Sequence, residues 1–218
     1  MTSINRRVNK LYIGFKLAED RDVDVSVDGT GTKMGNGSEH IERKKKNKRK
    51  KYIKVTISAD PRKRKLLDCD VSIEGEGDSE PESALKHLEK LKKNGKKVRK
   101  FWGDPALDER NLINHLSENG ADIAIKPRRL DTSDAEESLE RKKLVEHYKK
   151  KGYKKWAREK EYGLRWVGTE GVFSAVKRKF GECVKSKKLI NKLKEVKRKF
   201  WAYDLIQEYG IIHRLWIK

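Results

Sequence analysis

The order in which two periodicities follow one another constrains the fold more than any other feature of this chain. Val23, Val25 and Val27 alternate with Asp24, Ser26 and Asp28, the two-residue period of a half-buried strand. Asp28-Gly29-Thr30-Gly31 predicts a turn at its end, with a short return strand near 32–34. Strands are expected at 52–59 and 66–73, joined by Asp60-Pro61-Arg62-Lys63. Residues 1–20 offer no clear element beyond the apolar patch Leu11-Tyr12-Ile13-Gly14-Phe15.

After residue 77 the period changes. Asp78 or Ser79 can cap a helix with Pro81 in its first turn, Leu85, Leu88 and Leu91 as its stripe, and Asn94-Gly95 as its stop. A strand at 98–102 leads into Asp104. A helix over 105–119 then turns Leu112, Ile113 and Leu116 inward and stops at Gly120. A strand at 121–125 follows, and Ser133-Asp134-Ala135-Glu136 forms a capping box for a polar helix to about residue 150. Helices are expected over 170–180 and 187–209, the second as one helix or a pair, and no internal repeat is present. Strands first, then helix and strand alternating, then helices: this order predicts an α/β fold, a mixed sheet with helices on its faces.

A chain of 218 residues can bury one sizeable core. Charged residues make up 41% and hydrophobic ones 35%, so the surface is densely ionic. The net charge of +21 favours a polyanionic partner, since phosphates release condensed counterions on binding. The plainer alternative is a Lys-rich protein of a heat-adapted cell. The basic run over 43–51 cannot pack and is expected to be an exposed loop, either clamping nucleic acid or simply solvated. Cys69 and Cys183 are too few for a disulfide framework or a zinc site, which fits a reducing, cytoplasmic setting. No apolar run follows Met1-Thr2-Ser3-Ile4-Asn5-Arg6-Arg7, and no stretch reaches the roughly 18 apolar residues of a membrane span, so neither a signal peptide nor a membrane is expected.

Three carboxylates stand out. Asp28 closes the first alternating strand, where it is either a turn residue or a rigidly held ligand. Asp104 precedes Pro105 and can cap the next helix, meet a metal in the crevice at a strand's end, or do both. Glu170 opens a helix on which Lys177 falls only about 20° away, with Ser174 on the same side. Phe173, Val176 and Phe180 form the packing stripe, so the Glu170–Lys177 pair is presented together, as a solvated ion pair or as part of a site. Two Asp and a Glu in one pocket would supply the hard oxygens for two metal ions about 3.5–4 Å apart, a set suited to phosphodiester cleavage. Lys177 would then hold the phosphate backbone. Trp156, Trp166 and Trp201 are expected to be core or helix-packing residues rather than base-stacking ones. His40, His87, His115, His147 and His213 show no ligand spacing.

Asp28-Gly29-Thr30-Gly31, Gly103-Asp104-Pro105-Ala106 and Tyr162-Gly163-Leu164-Arg165 through Glu170 to Lys177-Arg178 resemble the DDE transposases of prokaryotic insertion sequences. Tyr52-Ile53-Lys54 through Asp60, Gly77-Asp78-Ser79 and Gly181-Glu182 match in the same order, so the likeness spans about 22–209. Its strongest part is the Tyr-x-x-Arg … Glu-x6-Lys signature. The resemblance implies a ribonuclease H-like fold, with residues 1–21 a short extension, 22–209 the catalytic domain carrying a basic loop at 40–51, and 210–218 a tail. It implies Asp28, Asp104 and Glu170 as catalytic ligands of two Mg2+ or Mn2+ ions, and Tyr162, Arg165, Lys177 and Arg178 as DNA contacts. It also implies a nucleoid-associated enzyme that cuts double-stranded DNA at transposon ends, leaves 3′-hydroxyls that attack target DNA, and assembles as a homodimer on DNA. Arg165 stands one residue farther from Glu170 than is commonest, and Leu107 replaces a frequent aromatic. Only 27 residues precede Asp28, fewer than relatives carry for end recognition. That shortness implies a truncated copy or end binding through the basic loop. The alternatives are an inactive remnant and a non-enzymatic basic nucleic-acid-binding protein.

Overall fold

The computed structural model describes residues 3–17, 19–34, 52–130 and 138–216. Its centre is a five-stranded sheet of β1 (Asp22–Lys33), β2 (Tyr52–Asp60), β3 (Lys65–Ile73), β4 (Lys97–Gly103) and β5 (Asp122–Ile125), in the order β3-β2-β1-β4-β5. The first three strands are antiparallel neighbours, whereas β4 and β5 run parallel to β1. The helices are α1 (Ser3–Lys10), α2 (Glu80–Lys93), α3 (Arg110–Glu118), α4 (Leu139–Glu159), α5 (Leu164–Gly168), α6 (Glu170–Phe180) and α7 (Leu189–Trp216). This is the expected α/β, ribonuclease H-like mixed sheet flanked by helices.

Because β1 is the central strand, it is buried on both faces rather than one. Val23, Val25 and Val27 enter a core with Leu88 and Leu91 of α2, Phe101 of β4, and Leu112, Ile113 and Leu116 of α3. The opposite face packs β2 and β3, through Ile53, Val55, Ile57, Leu66 and Cys69, against Val172, Phe173 and Val176 of α6 and Val196 and Phe200 of α7. On that face Asp24 is buried beneath two guanidinium groups, those of Arg62 and Arg99. Charge pairing at a strand surface thus replaces an apolar contact.

Several expectations are corrected. Residues 28–31 are not a hairpin turn: β1 continues to Lys33, with Asp28 opposite Ile57, Gly29 opposite Thr56 and Gly31 opposite Lys54. The ladder with β2 holds the Asp-Gly step extended, overriding its turn preference. The stretch before β1 does contain a helix, α1. The expected helix over 105–119 is two pieces: a 3-10 turn at Pro105–Leu107 capped by Asp104, then α3 capped by the Glu109 side chain. The polar helix expected to end near 150 does so: within the span labelled α4, Gly152 at φ 68° and ψ 159° breaks the helix, and a second helical stretch follows to Glu159. Ser138, which accepts from Arg141 N, caps the described part of the first stretch, while the 133–136 box and the basic run over 43–51 lie outside the described residues. The last helix is single. The remaining strands, α2 with its Ser79–Glu82 capping box, and α6 stand where the periodicity put them.

Candidate metal centre

Parallel pairing of β1 with β4 brings the two aspartates together. Val27 lies opposite Gly103, so Asp28, the next residue of β1, and Asp104, the first residue past β4, come side by side. Asp28 is half-buried: its Oδ1 accepts from Gly29 N at 2.8 Å, and the buried Thr169 hydroxyl lies 3.3 Å from Oδ2. Asp104 Oδ1 accepts from Ala106 N at 2.8 Å, so it caps the 3-10 turn while standing beside Asp28. Capping the turn therefore does not take Asp104 away from Asp28.

A third carboxylate joins them that sequence reasoning missed. Glu80, at the first position of α2, offers an oxygen such that ligand atoms of Asp28, Glu80 and Asp104 all lie within 4.8 Å of one another. The only signal was its place directly after a cap, where Glu is ordinary because it suits the helix dipole. Gly29 makes the approach possible: a Cβ there would sit 2.4 Å from Glu80 Oε1.

Glu170, the first residue of α6, is exposed and lies outside that close trio of the described residues. It lines the same cleft, about 680 Å³ in volume, with Asp28, Asp104, Ser174 and Lys177. Arg165 and Arg178 line it too, so an acidic floor is rimmed by cations. Lys177 Nζ donates to Thr30 Oγ1 at 3.0 Å, which turns the ammonium toward the strand carrying Asp28. The Arg165 guanidinium stacks 5.1 Å from the Tyr162 ring and 5.0 Å from that of Trp166, and its buried Nε has no hydrogen-bond partner among the described residues. Tyr162 itself is buried, and its hydroxyl donates to the Gly103 carbonyl at 3.0 Å, immediately before Asp104. Trp156 is buried as expected, but Trp166 is 52% exposed beside the cleft, because α5 turns it outward.

Burial pushes the Asp28 carboxyl above its ordinary value; the Gly29 N–H opposes this, and the nearby charges of Asp104 and Glu170 add to it. Glu80 is also pushed up, mainly by burial and further by Asp104 and Asp28, against the pull of Lys54. The Tyr162 phenol is raised to about 12, chiefly by burial. Carboxylates crowded in this way repel one another until a proton or a cation neutralises them. Hard, anionic oxygens at this spacing suit a divalent ion such as Mg2+ or Mn2+. The glycine that leaves room for the third carboxylate strengthens that fit.

A family model described as Transposase DDE domain matches residues 19–205 of the chain. No curated protein and no solved structure matches it.

Proposed function

From a chain that belongs to the transposase DDE domain family, with an acidic cleft where β4 ends beside β1, we propose a divalent-metal-dependent enzyme that cleaves and joins DNA strands at the ends of an insertion sequence. The observation that carries this reading is the adjacency of Asp28 and Asp104 where β4 ends beside β1, with Glu170 in the same cleft.

On this reading Asp28, Asp104 and Glu170 hold two Mg2+ or Mn2+ ions. Bound there, the metal supplies an activated water or hydroxyl nucleophile and neutralises charge on the leaving oxygen. The protein does the rest. Thr169 and the Gly29 N–H orient Asp28, and the 3-10 turn fixes Asp104. Lys177, Arg165 and Arg178 rim the cleft and hold the phosphodiester backbone of double-stranded DNA, a contact that positions without reading sequence. Tyr162 acts from beneath, fixing Gly103 and with it the approach to Asp104. A homodimer assembled on DNA would hold both ends for joining.

The test is cleavage of a DNA duplex with Mg2+ or Mn2+. Wild-type protein is expected to nick it and lose that activity in EDTA. Asp28→Asn and Glu170→Gln are expected to fall to background while keeping DNA affinity within about threefold, because phosphate contacts by the cationic rim dominate binding. Metal-dependent cleavage absent from the wild-type protein on every duplex tried would overturn the enzymatic reading and leave a basic DNA-binding remnant.

A further inference from the structure

Glu80 has no place in the three-carboxylate reading, yet its side chain is built into the same centre. A glutamate at the first position of a helix needs nothing but solvent and the helix dipole to be stable. Its free choice would be to extend away from other anions. Here it does the reverse, bringing an oxygen within 4.8 Å of ligand atoms on both Asp28 and Asp104. Lys54 offers Glu80 only a long ion pair. Its ammonium reaches Glu80 only at 3.9 Å while donating to the Asp78 carbonyl at 3.3 Å.

Position 29 supplies a second, independent observation. A β-carbon on Gly29 would lie 2.4 Å from Glu80 Oε1 and 2.8 Å from its Cδ, so the carboxylate occupies the space that any other residue would fill. Glycine inside the central strand of a sheet weakens it, and one use of such a glycine is close approach by another group. The approach has a direction. Gly29 and Thr30 border two clefts, one lined by Glu170 with both aspartates and the other by Glu80, Tyr52 and Lys54. The aspartate pair therefore has a glutamate available from each of two clefts.

We propose that Glu80 is a fourth metal-ligating carboxylate of this centre, sharing one divalent cation with Asp28 and Asp104 while Glu170 serves the cleft beside it. This rests on the reading of the cleft as a metal centre. It also explains why three anions can crowd together where β4 ends beside β1: each cation is shared, so two ions offset the charge of four carboxylates.

The experiment is Mn2+ binding to the full chain, followed by electron paramagnetic resonance of the free ion, with melting in EDTA as the control for folding. Glu80→Gln, which keeps shape and removes charge, is expected to weaken Mn2+ binding about tenfold or more. Asp28→Asn should weaken it at least as much. Gly29→Ala keeps the Glu80 residue but places a methyl group where its carboxylate sits, so the carboxylate must swing aside, and this should weaken binding in the same direction. It thus decides the matter should Glu80→Gln fail to fold. If Asp28→Asn loses Mn2+ while Glu80→Gln and Gly29→Ala bind within twofold of wild type, Glu80 is no ligand and the three-carboxylate centre stands. If Asp28→Asn also binds as wild type, the metal-centre reading itself falls.

Discussion

At the scale of single residues, the site is assembled by side chains that each satisfy a local requirement and a distant one. Asp104 caps a turn and faces Asp28; Thr169 lies 3.0 Å from the Arg165 carbonyl and 3.3 Å from Asp28. Tyr162 is the clearest case, since the resemblance makes it a DNA contact while its buried hydroxyl donates to Gly103. Tyr162→Phe removes that one bond from the Gly103 carbonyl. It is expected to destabilise the fold by about 1 kcal/mol, a fall in Tm of about 2–4 °C for a chain of this size. Cleavage should slow as Asp104 loses its support, while DNA affinity stays within twofold. A large drop in affinity with an unchanged Tm would return Tyr162 to the DNA surface. The spacing of Glu170, Ser174 and Lys177 was legible in the sequence because helical geometry is local, and all three line the cleft. Glu80 was not, because its role depends on an absent β-carbon fifty-one positions earlier in the chain.

At the scale of elements, the two longest helices of the C-terminal half, α4 and α7, brace the sheet through buried polar anchors. Arg141 of α4 makes a two-pronged pair with Asp108 at 2.9 and 2.8 Å, tying that helix to the segment behind Asp104. Asp204 of α7 accepts from Leu66 N at 3.0 Å, docking the helix on the start of β3. Burial raises the Asp204 carboxyl above its ordinary 3.8, against the pull of the Leu66 N–H and Lys65. The sign follows from linkage: a carboxyl raised in the folded state contributes stability below the unfolded-state pKa, and that contribution is lost as pH rises through the folded value. Asp204→Asn keeps the acceptor and removes the titration. It is expected to match wild type in urea denaturation at the acid end and to be the more stable protein at neutral pH. A variant less stable than wild type at pH 7 would show that the charge is needed there. The turn at 28–31 and the continuous helix over 105–119 failed as expectations for related reasons. A partner strand held the first extended, and a cap at Glu109 restarted the second, neither of which local preference reveals.

At the scale of the molecule, a chain of net charge +21 carries an acidic cleft that Arg165, Lys177 and Arg178 also line. The cations at the rim can draw a polyanion toward carboxylates that would otherwise repel it, and metal in the centre would complete the match. Binding to duplex DNA is therefore expected to be strongly salt-dependent. If about six to ten phosphates are neutralised, the association constant should fall by about 10³–10⁵ between 50 and 200 mM salt. A binding constant nearly flat over that range would mean that the basic surface is solvated and the partner is not a nucleic acid. Among the described residues no helix is long and apolar enough to cross a membrane.

The sequence by itself determined the class of fold, most of its strands and helices, and the membership of Asp28, Asp104 and Glu170 in one cleft. Periodicity follows from backbone geometry, and family motifs preserve spacing. Only the tertiary structure decided that Asp28 sits within a continuous strand, that Tyr162 is directed inward and Trp166 outward, and that Glu80 stands beside the aspartates. Those facts depend on which strand lies next to which, and on the space a glycine leaves open, neither of which is written in any local stretch of chain.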